Sequence, residues 1–277
     1  ALQALEAEID KYFEDLAKAD KLYGEPLQFT DKGLALRKRE HAKASVLHYE
    51  WNELKGARES LDAADSDQKH LHLAADLRTM ITHNGDISNL ILDPDLDTYY
   101  NMDVTLLALP QTQDRLAGIL QDGLDILKAR GSSLNDQDRI QFGTWAALLR
   151  EADMNRVVAS QETAINEDQN FLGVSNSFQS RVPPALQEYK AKTEAFLKVL
   201  DSLSSGEEVS ADKYVSAAQT ARQASFDLWD VVVVEQDILL TRRLLFYTQG
   251  RIKVVGLAAL ALLIAFGIVS LIKKSVL

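Results

Sequence analysis

Nineteen consecutive uncharged residues, 254–272, stand close to the C-terminal end of a 277-residue chain. The run opens on Val254 and closes on Ile272, with Arg251 and Lys253 just before it and Lys273 and Lys274 just after. As a helix at 1.5 Å per residue it spans roughly 28 Å, close to the hydrocarbon thickness of a bilayer. Everything before it is soluble in character. The sequence therefore divides into a polar body, 1–250, and a membrane helix with the start of a cytoplasmic linker, 251–277.

The body is acidic. The formal net charge is −11; four basic residues follow Gly250 and no acid follows Asp237, so the part before Arg251 carries about −15. Such a surface offers phosphates no basic stripe, which excludes nucleic acid as a partner. It also resists lying flat on anionic lipid. The absence of cysteine removes disulfides, thiolate metal sites and cysteine nucleophiles. Both flanks of the apolar run are basic, so local charge leaves its orientation open. The chain begins on Ala1 inside a helical pattern and ends five residues past the run. Both ends are expected to be cut.

Helical periodicity is nearly continuous, and no stretch alternates like a strand. Only five prolines and thirteen glycines interrupt it. The pattern predicts a helix over 2–22, a second over 30–55 capped by Thr30 with Leu36, Leu47, Trp51 and Leu54 as its stripe, and a third from Ser66 through Ile91. Asp93-Pro94-Asp95 reads as the next helix start. That helix reaches Ala108, and Pro110 opens another ending near Gly131. A long helix is expected over 135–176, a break at Arg181-Val182-Pro183-Pro184, a helix over 184–203, and a last helix running from Ser210 into the apolar run. About eight amphipathic helices of this length bury their stripes against one another. The expected architecture is all-α: an elongated bundle of two stacked four-helix-type bundles sharing long helices, plus a C-terminal transmembrane helix; the alternative is one elongated bundle with a helical insertion.

Among chemical motifs, Asp93, Asp95 and Asp97 alternate as in a calcium loop, but the sixth position is Thr98 and the twelfth Val104, where the loop needs Gly and Glu. A capped helix start explains the acids. Stepping from Leu73 through Leu77, Met80 and Ile81 by threes and fours lands on Asn84 and Ser88. Stepping from Leu96 through Tyr99 lands on Asp103, then Leu106. Polar groups on apolar stripes need partners. Asn84, Ser88, Tyr99 and Asp103, with Arg78 as a clamp for a carboxylate, form the candidate ligand set. An internal hydrogen-bond network fixing the helix corner is the competing reading. The five histidines show no spacing that converges on a metal: His70 and His72 fall on different faces, His41 and His48 lie two turns apart, and His83 stands alone. No Glu-x-x-His pair, phosphate loop or nucleophile elbow occurs, so neither a catalytic residue nor a cofactor or metal is expected.

The segment Gly85-Asp86-Ile87-Ser88-Asn89-Leu90-Ile91-Leu92-Asp93-Pro94-Asp95-Leu96-Asp97-Thr98-Tyr99-Tyr100-Asn101-Met102-Asp103 resembles a recurring stretch in the extracytoplasmic helical sensor regions of bacterial transmembrane receptors, both methyl-accepting chemotaxis proteins and sensor histidine kinases. Tyr23-Gly24-Glu25-Pro26-Leu27 before a long helix is similar too, and Ser270-Leu271-Ile272-Lys273-Lys274-Ser275-Val276-Leu277 resembles a membrane helix entering a HAMP linker. These segments cover about a third of the chain. The resemblance implies an upstream membrane helix, a homodimer, a cytoplasmic output module, and a body outside the cytoplasm of a bacterial inner membrane. It carries over no ligand contacts.

The expectation is thus a chemoreceptor-type sensor region that meets a small polar ligand or a periplasmic binding protein and passes a helix displacement across the membrane. The alternatives are a membrane-anchored scaffold binding a protein through its acidic body, and a helical metalloenzyme that lacks its expected motif.

Overall fold

The computed structural model describes residues 2–131 and 133–276. Ala1 and Leu277, the outer ends of the two expected segments, lie outside the described residues, as does Ser132. Every regular element among the described residues is helical: α1 (Leu2–Tyr23), α2 (Asp31–Ala35), α3 (Ala44–Ala57), α4 (Ala63–Ile87), α5 (Leu96–Asp103), α6 (Leu109–Arg130), α7 (Asp136–Leu148), α8 (Asn155–Glu167), α9 (Asn176–Ser204) and α10 (Ala211–Val276). Single π turns carry α5 into α6 and α7 into α8, so the described residues form eight helical rods.

Several boundaries differ from expectation, each for a local reason. The helix expected over 30–55 is two pieces. Thr30 does cap α2, its Oγ1 accepting from the Gly33 N–H at 3.1 Å. The chain then turns at Lys38, whose φ of 55° is left-handed. Leu36 consequently leaves the predicted stripe and is 73% exposed. α4 ends at Ile87 rather than Ile91, because Asn89 also adopts a left-handed φ, of 59°. Asp93 caps no helix. Its Oδ1 accepts from the Asp95 N–H at 3.0 Å in a local turn, and α5 starts at Leu96.

The prolines break less than expected. Pro110 opens no new helix, since α5 runs past it through the π turn Val104–Ala108. There the Leu109 N–H reaches back five residues to the Val104 carbonyl. The Thr105 carbonyl is thereby released from the helix ladder, and the Trp229 indole N–H of α10 donates to it at 2.8 Å. Pro183 and Pro184 sit inside α9, where each removes a backbone bond at a cost of about 3 kcal/mol. α9 continues because Val182, Leu186 and Tyr189 form one buried stripe across the prolines. The real break lies earlier, between Asn170 and Asn176, where Gly173 has a φ of 81°.

The main core lies between the rods formed by α5 to α9 and the first half of α10. Asn101 bonds Val232, Trp229 bonds Thr105 and the Tyr214 hydroxyl donates to the Ile119 carbonyl, so α5–α6 and α10 run antiparallel in close register. Gly123 leaves room for the Tyr214 ring; a Cβ there would occupy the position of its hydroxyl. A second, smaller core of Phe13, Leu47, Trp51, Leu54 and Leu73 joins α1, α3 and α4. α4 lies along the outside of the main core, antiparallel to α6: Arg78 meets Asp114, and Gly85 abuts Leu106 of the π turn.

α10 continues without interruption for 66 residues, about 100 Å, through Gly250 and Gly256. Its apolar stretch is long enough to cross a membrane, and none of it is buried in the protein. A soluble core helix of the same composition would be covered. Replacing Trp229 by Phe leaves the Thr105 carbonyl unpaired beside the π turn. It should cost about 1–3 kcal/mol, read as a lower Tm by circular dichroism at unchanged helix content. An unchanged Tm would show that water replaces the indole.

Candidate functional site

α5 presents a different face to the core from the one hydropathy selects. Leu96 and Tyr99 are 41% and 37% exposed, whereas Asp97, Thr98, Asn101 and Thr105 are buried. Partners on other helices account for the inversion. The Asn101 side-chain amide donates to the Val232 carbonyl at 2.9 Å and to Gln236 Oε1 at 2.7 Å, while its Oδ1 accepts from Gln161 Nε2 at 2.9 Å. Beside it, fully buried Glu235 accepts from Arg181 at 2.8 Å. Asp168 accepts from the Ser175 N–H at 2.8 Å and from Gln179 Nε2 at 3.0 Å. The result is a polar layer to which α5, α8, α9 and α10 all contribute. Gln161 Oε1, Gln236 Nε2, Glu235 Oε2 and Asp168 Oδ1 are buried there without a partner.

Below this layer the Asp-Pro-Asp corner grips α10. Arg243 donates to Asp93 Oδ2 at 2.8 Å, lies 2.8 Å from Asp95 Oδ2 through its Nε, and donates to the Thr98 hydroxyl. Asp93 is almost wholly covered. The next residue, Arg242, donates to the Gly173 carbonyl at 2.8 Å, in the turn before α9. Two consecutive arginines therefore bind the start of α5 and the α8–α9 turn to the point where α10 leaves the body. Asp97, buried nearby, is pushed above the ordinary carboxylate range by loss of hydration, against the opposing N–H bond from Thr98.

A third polar cluster lies farther from the apolar stretch. Asp153 sits in the second π turn, Leu149–Met154, and meets Arg115 Nε at 2.6 Å. Burial outweighs the arginine and pushes its carboxyl up to about 6. Tyr189 is buried alongside with Thr112 and Thr193 near its hydroxyl, and burial with the nearby Asp153 charge raises its pKa. π turns recur at functional positions because they re-aim side chains and free carbonyls.

The five residues expected to form a ligand site fall into separate settings. Arg78 borders a groove that Asp103 reaches only through its partner Arg156. It has a volume of about 180 Å³ and lies between α4 and the first π turn, with Arg78 and Arg156 both in its lining. Asp103 binds Arg156 through two bonds, of 2.6 and 3.2 Å, and accepts from Ser160 at 3.2 Å. Arg78 pairs with Asp114 at 2.9 Å, and its buried Nε has no partner. Two guanidinium groups thus line one opening, each paired with a carboxylate that is not in the lining. That arrangement can receive a carboxylate or another small anion. Asn84 instead borders an apolar cleft of about 270 Å³ against Phe29 and Met80. Ser88 closes α4, donating to the Gly85 carbonyl at 3.3 Å. Tyr99 packs edge-on against Tyr100.

Arg156, Asp114, Arg243 and Asp153 are the participants the sequence reading missed. For Arg243 a signal exists: Val232, Glu235, Gln236, Leu239 and Arg243 recur by threes and fours, so polar groups interrupt the apolar stripe of α10. Comparison with protein-family models, with curated proteins and with solved structures finds no match.

Replacing Arg243 by Ala leaves Asp93 buried and uncompensated, and should cost about 3–5 kcal/mol. Adding Asp93→Asn should recover part of it, measured as Tm in a double-mutant cycle. Asp153 predicts a pH effect. Its folded value, about 6, lies above the ordinary 3.8, so the folded state keeps a proton that the unfolded chain releases between those values. Stability from this group is therefore lost as pH rises from about 4 to about 6, by about 3 kcal/mol. The Tm of the parent chain minus that of Asp153→Asn should fall by several degrees over that window. A flat difference would show that Arg115 keeps the carboxyl ionised throughout.

Proposed function

We propose that this chain is the sensing region of a dimeric transmembrane signalling receptor of the chemoreceptor type, set in a bacterial inner membrane with the body in the periplasm. The observation that carries the reading is the single helix α10. Its first half is built into the main core, Arg242 and Arg243 fasten it, and the same rod continues into the apolar stretch with no flexible joint. A displacement of α10 inside the body must therefore appear at the membrane. Packing favours one elongated bundle of long rods, with α1, α3 and α4 layered against it, as the unit that moves.

Two further features support the reading. Leu244, Leu245, Phe246 and Tyr247 are each more than half exposed just before the apolar stretch. Solvent-facing apolar side chains on all sides of a helix are what a second copy of the chain would cover. The groove between Arg78 and Arg156 supplies the input site: an anionic ligand there competes with Asp114 and Asp103 for the two arginines. It thereby biases how α4 and α8 sit against the first π turn, and any differential affinity for two arrangements shifts their populations.

Because the chain has no cysteine, a single introduced one reports a contact without background. Cysteine at 244, 245, 246 or 247, oxidised in membranes, should give disulfide dimers strongly at one or two positions and weakly at the rest, following the helical repeat. No dimer at any of the four would remove the dimeric reading. For the input site, a thermal-shift screen of small acids and amino acids against the full chain should find a ligand. At a hundred times its dissociation constant it should stabilise by about 2.7 kcal/mol. Arg78→Ala or Arg156→Ala should abolish that shift. A ligand that shifts both variants as it shifts the parent would bind elsewhere.

A further inference from the structure

The layer formed by α1, α3 and α4 contains a cluster of a different chemistry. His72 and Asp76 stand four residues apart on α4 and so share one face. Glu50 of α3 points at the same spot, and ligand atoms of Glu50, His72 and Asp76 all lie within 4.8 Å of one another. His72 Nε2 is 3.5 Å from Asp76 Oδ2. His41, in the turn before α3, brings its Nε2 to 3.8 Å from the other oxygen, Oδ1. Donors held at about 2.1 Å around a tetrahedral zinc ion are separated by about 3.4 Å. The His72–Asp76 spacing already has this value, Glu50 completes the group within 4.8 Å, and His41 approaches it from the Asp76 Oδ1 side.

The burial pattern is that of a ligand set rather than a solvated charge cluster. Asp76 is 5% exposed, and its Oδ2 lacks a hydrogen-bond partner, as does the buried Glu50 Oε2. Among the described residues no lysine or arginine lies within ion-pair distance of either carboxylate; only the two imidazoles approach Asp76. Two buried anionic oxygens aimed at one point call for a cation there. Protonated histidines would serve Asp76 but leave Glu50 unanswered. His72 is two-thirds exposed, and with Glu50 it borders an open cleft of about 370 Å³, which provides the entry path. Imidazole with carboxylate donors suits zinc and its first-row neighbours better than calcium or magnesium, which take oxygen alone.

We propose that Glu50, Asp76 and His72, with His41 as fourth donor, bind one divalent first-row transition-metal ion of the zinc type, which fastens α3 to α4. The site is independent of the receptor reading and of the groove at Arg78. It escapes the sequence because its two histidines are 31 residues apart and meet only when α3 folds back on α4.

The test uses the full chain in detergent, stripped with chelator and titrated with Zn²⁺ against a chromophoric competitor. One equivalent should bind, and Co²⁺ should give the visible absorption of a low-symmetry site. His72→Ala removes an exposed side chain and should fold normally; it should weaken Zn²⁺ binding at least tenfold, as should Glu50→Gln. His70→Ala, an exposed histidine outside the cluster, should bind as the parent does. Bound Zn²⁺ should raise the parent's Tm and leave that of His72→Ala unchanged. A parent chain that takes up no equivalent of Zn²⁺, or a His72→Ala chain with parental affinity, overturns the site.

Discussion

Everything in this molecule depends on α10 being one rod. A helix of 66 residues cannot be stable alone in water over its polar half, and its apolar half is uncovered by the protein. The polar half is therefore held by tertiary contacts. Tyr214, Ala218, Ala221, Leu228, Val232 and Leu239 form a buried stripe at helical spacing, and Arg243 ends the stripe in a charged socket. Most of a helix's stability in a protein comes from such a stripe rather than from propensity. The socket adds what a stripe does not provide, a fixed height. Apolar rods can slide past one another at small cost, whereas an arginine bound to two aspartates and a threonine hydroxyl has one axial position, or another only if the whole set of bonds is exchanged.

The two π turns belong to the same logic. Each inserts an extra residue into a long rod, which rotates the side chains beyond it relative to those before it. In α5–α6 the insertion coincides with Pro110, so the missing proline N–H falls where the ladder is already interrupted, and Trp229 of α10 takes up the carbonyl left over. In α7–α8 it places Asp153 against Arg115 in the core. Both irregularities are thus tied by polar contacts to a neighbouring rod. Straightening either one would break those contacts, so local helix geometry and the placement of neighbouring rods are coupled.

Helical class and the apolar stretch were readable in the sequence, because they rest on periodicity and length; the number of rods agrees only because one expected helix splits and two others merge. Breaks were read less well, for a specific reason. Proline was given more weight than burial, yet Pro183 and Pro184 are carried through α9 by Val182, Leu186 and Tyr189, and the true break at Gly173 has no proline. The phase of α5 was misread because hydropathy put Leu96 and Tyr99 inside. The structure buries Thr98 and Asn101, whose partners Arg243, Gln236 and Gln161 lie far away in the sequence. Asp103 and Arg78, singled out as polar residues on apolar stripes, pair with Arg156 and Asp114, which carry no local mark in the sequence.

The buried polar layer ranks above the other features because of its energetics. An apolar layer of the same shape would hold the four rods more firmly, since unpaired buried groups such as Gln161 Oε1 and Gln236 Nε2 each cost free energy. A structure selected only for rigidity would have no reason to keep them. Above the layer Tyr214 meets Phe142 and Phe196 edge-on. Below it Arg243 sets the exit of α10. The buried polar layer therefore lies along α10 between the aromatic cluster at Tyr214 and the charged socket at Arg243.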